Sequence, residues 1–303
     1  MAMSLSYNNP SLREDLLDFI TNISPVDNQL FTGLQKSKSQ STTHTWLVDS
    51  DPTLTNTSAD KKAVEGADFG AGDVTNPVRV SNYTQIIRTD YKVSGTEQAT
   101  THAGMPNPKA YHMEKALRDW KNKAEWAILH GVAAAGNATT ARELGGIFDQ
   151  TTTHKVANAA AAFTETLFNT YLGDLWQDGG DPDAVYVGRK LKQVISSFTA
   201  GATKNVDIKD KRLVSSVDVY ESDFGLVKIF KHRYIDSVLA AANTSNIAIL
   251  QENTWALAFL SGREPKNLDA PKGGDYEKGA IIGEFTLEGR AQKANFVGKG
   301  YTN

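Results

Sequence analysis

From Asn107 to Ala133 apolar residues recur at helical spacing. Met113, Leu117, Trp120, Ala124, Ala127 and Gly131 follow one another at intervals of four, three, four, three and four, which is the one-sided stripe of an amphipathic helix. Asn107 suits the N-cap. Pro108 suits the first helical position, where its fixed φ fits and its missing N–H would have found no partner anyway. The other faces carry Lys109, Lys115, Arg118, Lys121 and Lys123 with Glu114, Asp119 and Glu125, several of them spaced to pair along the helix. At 1.5 Å per residue the rod is roughly 40 Å long. A stripe of that length needs a sheet or other helices along all of it, so this helix is expected to be the spine of the subunit.

Upstream, Ser11 opens a short helix with Leu12, Leu16, Phe19, Ile20 and Ile23 on one face, and Pro25 stops it. Residues 26–31 read as an irregular arm. Phe19, Leu30, Phe31 and Leu34 are too apolar for a free tail, so the arm is expected to pack on a neighbour. Thr42–Val48 and Val78–Val93 alternate as strands. Between them, 49–77 is rich in Asp, Thr, Gly, Ala and Asn. Compact domains seldom carry such a loop. It is either disordered or laid on something outside its own subunit, and the second reading is preferred.

Downstream, Gly136–Gly146 is turn material. Phe163–Trp176 reads as a helix with Phe163, Leu167, Tyr171, Leu175 and Trp176 inward, ended by Asp178-Gly179-Gly180-Asp181-Pro182. Ala184–Val187 is a strand, and Arg189–Phe198 a helix that buries Leu191, Val194, Ile195 and Phe198. Thr199–Arg212 is a polar loop. Leu213–Tyr220 and Leu226–Tyr234 form a hairpin by pattern. Ile247–Leu250 and Trp255–Leu260 are strands, Arg263–Lys278 is a linker, and Ala280–Glu288 with Ala291–Val297 make a last hairpin. A strand-rich half after a helical middle makes the class α+β.

Composition narrows function mainly by exclusion. The chain has 303 residues, 40% hydrophobic and 22% charged, with a net charge of −3. A protein that grips nucleic acid along its length is disfavoured by that balance. With no cysteine, disulfides, thiolate metal sites and a cysteine nucleophile are excluded. Nothing at the start reads as a secretory signal, and no run approaches the ~20 apolar residues that cross a bilayer. Phosphate-loop, nucleophile-elbow and zinc-protease motifs are missing. Gly66, Gly70 and Gly72 read as loop flexibility. His112 and His130 stand about five turns apart on the spine, too far to share a metal. Asp49 with Asp51, and Asp178 with Asp181 and Asp183, read as turn chemistry. The sequon Asn56-Thr57-Ser58 means little without secretion. No catalytic, cofactor or metal site is expected, and the chain is not read as an enzyme.

Several pieces, in order, carry a resemblance. They are Leu12-Arg13-Glu14-Asp15-Leu16 with Ile23-Ser24-Pro25, Thr43-His44-Thr45-Trp46 with Asp49, Asn82-Tyr83-Thr84-Gln85-Ile86, Val93-Ser94-Gly95-Thr96, Leu144-Gly145-Gly146-Ile147, and Val217 to Gly225. Together they span residues 12 to about 235. On these the chain resembles the major capsid proteins of tailed double-stranded DNA bacteriophages, with the Hong Kong 97-type fold, and within them the podovirus-like group. Asn28-Gln29 departs from the group's usual Thr-Pro after the Asp.

The resemblance implies an N-terminal arm at 1–36 and an extended loop at 37–95. It implies a peripheral domain at 96–161 with the spine at 107–133, an axial domain at 162–250, and a return to the peripheral domain at 251–303. The implied function is self-assembly, through pentamers and hexamers, into an icosahedral shell enclosing double-stranded DNA without sequence-specific binding. The shell would be a virion capsid made in the bacterial host cytoplasm, with portal, scaffolding or cement proteins as further partners, no membrane and no cofactor. An encapsulin-like nanocompartment shell is the alternative. Expected inter-subunit contacts are Phe19, Leu30, Phe31, Leu54, Val64, Phe69, Lys204, Lys209 and Lys211.

Overall fold

The computed structural model describes residues 28–49, 62, 65–66, 68, 76–102, 105–157, 159, 161–198, 219–236 and 244–302. The first half runs α1 (Gln29–Gly33), β1 (Gln35–Ser39), β2 (Thr43–Val48), β3 (Val78–Tyr83), β4 (Gln85–Ser94), α2 (Gly95–Ala99), α3 (Pro108–His130), α4 (Ile147–Gln150) and β5 (His154–Val156). The second half runs α5 (Glu165–Gln177), β6 (Ala184–Val187), α6 (Arg189–Phe198), β7 (Val219–Ser222), β8 (Gly225–Lys231), β9 (Thr244–Leu250), β10 (Trp255–Leu260), β11 (Lys266–Ala270), β12 (Tyr276–Gly289) and β13 (Phe296–Thr302).

The spine is α3. The Asn107 side chain accepts from the Ala110 N–H, and Pro108 stands in the first turn, as the caps predict. Its contact stripe is rotated from the expected one. Ala116, Trp120, Ala124, Ala127 and Ile128 are buried, while Leu117 is exposed. The alanines let the rod approach a sheet closely enough for Trp120 to reach into it. Its Nε1 donates to the Ile87 carbonyl at 2.8 Å. A Cβ on Gly283 would lie 2.5 Å from the indole, so the strand beneath needs a glycine there.

That sheet has five strands around β12. β10 pairs with its last residues, β11 with its middle, and β4 runs along its other side over ten residue pairs. β1 lies parallel to β10 at the edge. Phe31, Trp120, Phe259 and Phe285 interlock between sheet and spine with centroids 5.6–6.2 Å apart, edge to face except for the tilted Phe259–Phe285 pair.

A second sheet has the order β5-β13-β9-β6-β8-β7. Alternate residues feed two cores. Ala184, Tyr186, Ala248, Leu250 and Val297 join the spine's core. Val185, Val187, Ile247, Ile249 and Phe296 pack under α5 and α6.

Several sequence expectations are corrected. Residues 29–33 are a helix within the body, not an irregular arm, because Leu30 and Phe31 are buried in the spine's core. Trp176 is exposed rather than inward. The stretch 263–278 is not only linker, since β11 pairs there with β12. Residues 280–288 and 291–297 are not a hairpin, for β12 and β13 belong to different sheets. Asn295 explains the crossing. It is fully buried. Its Oδ1 accepts from Trp255 Nε1 and from the Gln251 N–H, both at 2.9 Å, and its Nδ2 donates to the Ala291 carbonyl. One side chain thereby holds both short turns that carry the chain between sheets. The expected helix starting at Ser11 and most of 49–77 and 199–218 lie outside the described residues.

Candidate assembly interfaces

β2 and β3 form a two-stranded ribbon that joins neither larger sheet. Alternation gives it two faces. His44, Trp46 and Val80 lean on the body, whereas Thr45, Leu47, Arg79 and Ser81 face outward. Leu47 is 68% exposed and Val78 is 65% exposed. A ribbon of two strands is marginal by itself in water, so its root must be fastened.

The fastening is a polar knot. Asn82 is buried and uses both ends of its amide. Nδ2 donates to the carbonyls of Gly145 (3.0 Å) and Leu287 (2.7 Å). Oδ1 accepts from the N–H groups of Gly145 (2.8 Å) and Tyr83 (2.9 Å). Gln150 donates to the same two carbonyls and accepts from the Gly289 N–H. Gly146 is required beside it, because a Cβ there would sit 2.7–2.8 Å from three carbonyls at the end of α3. Two stretches far apart in sequence, Asn82 to Ile86 and Leu144 to Ile147, thus meet in one contact.

Two further anchors hold the ribbon. Trp46 Nε1 donates to the Gly289 carbonyl at 3.1 Å. Glu288 gathers Arg290 (2.9 Å), Ser37 (3.1 Å) and His44 (3.4 Å). Burial works to raise the Glu288 carboxyl. The Arg290 guanidinium, then His44 and Ser37, outweigh it and hold the group below the usual carboxylate range. At the hinge between β3 and β4, Thr84 Oγ1 donates to Glu284 at 2.7 Å, and Arg142 and Arg263 pair with that same carboxylate at 2.8 and 3.3 Å.

The second junction is where the N-terminal segment enters. Glu125, on the spine, is fully buried. It accepts from the N–H groups of Leu30 and Phe31, each at 2.8 Å, and so caps α1, whose own Asn28 makes no capping bond. His232 Nε2 stands 2.8 Å from the same carboxylate. Its Nδ1 accepts from the Tyr234 N–H, which leaves the ring proton on Nε2, aimed at Glu125. Nearby, burial holds the His130 imidazole below its usual pKa, although its Nε2 lies 2.7 Å from the Tyr234 carbonyl. Burial and then the Glu252 carboxylate push the Tyr186 hydroxyl up.

These positions correct part of the expected contact set. Leu30 and Phe31 are buried in the core of their own subunit. Phe19, Leu54, Val64, Phe69, Lys204, Lys209 and Lys211 lie outside the described residues. Periodicity missed Leu47, Val78 and Trp176, which are exposed. The signal for Leu47 was present, since its strand partner Arg79 marks that face as wet. Among the described residues no three His, Asp or Glu stand close enough to share a metal, and no described helix is long and apolar enough to cross a membrane. Asp178 and Asp183 bond to His154 and to the Glu252 N–H, within the fold.

The body thus carries a fastened two-stranded ribbon on which Leu47 and Val78 stand in water. The fold is the Hong Kong 97 type found in phage capsids. The chain belongs to the SU10 major capsid protein family, whose sequence model it matches over residues 2–302. It is 23% identical to a major capsid protein of Escherichia phage Phieco32, across 97% of this chain and 95% of that one. The cyanophage A-1(L) capsid subunit superposes with a TM-score of 0.67 at 11% identity, covering 98% and 99% of the two chains. The encapsulin of the holo-SrpI complex from Synechococcus elongatus gives 0.60 at 8% identity, covering 100% and 97%. The protein is a phage major capsid protein, the subunit of an icosahedral shell.

Proposed function

We propose that this shell is the head wall of a tailed phage, enclosing double-stranded DNA without reading its sequence. Pentamers and hexamers of the chain are its units, made in the bacterial host cytoplasm, and portal, scaffolding or cement proteins are its further partners. The chain serves as wall and not as catalyst. In this reading the ribbon and the segment at its tip lie over an adjacent subunit, the N-terminal arm packs on a neighbour, and the sheet carrying α5 and α6 turns toward the symmetry axes. A net charge of −3 suits a wall that confines duplex without gripping it.

The observation that carries this is the ribbon. Leu47 and Val78 stand in water on a two-stranded element that Asn82, Trp46 and His44 bond to the body. Electron microscopy of particles from infected cells, with nuclease digestion, tests the reading. Closed shells holding nuclease-resistant duplex DNA are expected. Shells filled with a protein cargo, as in a nanocompartment, or a monomer that persists at high concentration would contradict it.

A further inference from the structure

The outer face of α5 carries a groove of about 770 Å3. Phe224, at the tip of the β7–β8 hairpin, lies across Gly173, where a Cβ would come within 3.2 Å of its ring. Trp176 stands beside it with ring centroids 5.9 Å apart, yet is 60% exposed. Leu226 and Val219 on the same hairpin are 57% and 49% exposed. Glu165 and Asp174 stand on the wall, and no Lys or Arg lines it. α5 holds no basic residue from end to end. The surface is therefore aromatic with an acidic rim, beside β7, which ends its sheet among the described residues.

We propose that this groove receives a second copy of the chain, through the basic segment Lys204–Leu213 that joins α6 to β7. The inference rests on the shell reading above. That segment carries Lys204, Lys209, Lys211 and Arg212 against Asp207 and Asp210, with Val206 and Ile208 among them and Leu213 at its end. Its charge opposes that of the groove, and its apolar groups match the exposed rings. Residues 199–218 lie between the two elements, and half that length extended reaches roughly 30 Å, enough to bridge to a neighbour. Each copy offers both halves of the contact. A contact of that kind is heterologous and closes into rings when the rotation allows, as subunits around a symmetry axis require.

The chain has no cysteine of its own, so Gln177→Cys with Ile208→Cys reports the contact cleanly. Particles assembled from the double variant are oxidised and run on a non-reducing gel. A ladder of covalent multimers is expected. Monomer alone, whether unlinked or linked within one chain, overturns the docking. Trp176→Ser is the second arm, expected to lower particle yield at least tenfold with the unfolding midpoint of the free subunit unchanged. Unchanged yield overturns the docking while leaving the shell reading intact. If the unaltered chain forms no particles under any condition, the shell reading falls and the docking with it.

Discussion

β3 and β4 are consecutive strands separated by a single residue, and they meet opposite fates. β4 alternates strictly. Ile87, Thr89, Tyr91 and Val93 lie buried while their neighbours face out. It is bonded along ten residue pairs to β12. Val78–Tyr83 alternates almost as regularly, yet only Asn82 is buried. Among the described residues its one strand partner is β2. The difference lies in what covers the strand. An alternating pattern states that one face wants shelter and does not state which chain provides it. Single exposed apolar residues are ordinary on any protein surface. Here they stand on an element bonded to the body through Asn82, Trp46 and Glu288, which holds the ribbon in place.

Breaking the body should therefore damage the free subunit, and altering the ribbon should damage only the assembly. Glu125→Ala is expected to have the largest effect on the monomer. It leaves two backbone N–H groups and the His232 ring N–H buried without a partner. The loss should be about 3–5 kcal/mol in urea unfolding. His232→Ala should cost less, since Glu125 keeps both backbone bonds.

Asn82→Ala should follow, at about 3 kcal/mol, because it unties the ribbon from Gly145 and Leu287 together. Unfolding of the free subunit would show this loss, and limited proteolysis would show faster cutting within 43–48 and 78–83.

The third effect is a pH dependence. Glu288 is held below the usual carboxylate range by Arg290, His44 and Ser37. Its contribution is complete above the ordinary carboxylate pKa and is lost as pH falls through the lowered folded value. Stability measured from pH 7 downward should fall in that acid window, and Arg290→Ala should flatten this part of the profile.

The smallest effect on the monomer is the sharpest test of the comparison. Leu47→Ser with Val78→Ser should change free-subunit stability by less than about 0.5 kcal/mol, since both side chains already stand in water. Particle yield, counted by electron microscopy, should collapse.

Local chemistry was legible where it acts alone. Asn107 and Pro108 announced the start of the spine, and Ala184–Val187 and Arg189–Phe198 fell at their observed bounds. Long-range pairing was not legible. Trp255–Leu260 and 280–288 read as ordinary strands, but nothing local says that Asn295 carries the chain into another sheet between β12 and β13. Apolar character also misled in both directions. Phe31 read as a group for a neighbour and is spent in its own core, because Glu125, ninety-four positions away, caps its helix. Trp176 read as core and stands in water. For the interfaces, the sequence located the ribbon's strands and left open which of their residues are exposed.

Hydrogen exchange at the amides of 43–48 and 78–83, compared with those of 85–94, tests most directly whether the ribbon completes its burial on other copies. In the free subunit the ribbon should exchange at least a hundredfold faster than β4, and in assembled particles the two should be protected alike. Ribbon amides already as slow as those of β4 in the free subunit, and unchanged by assembly, would contradict it.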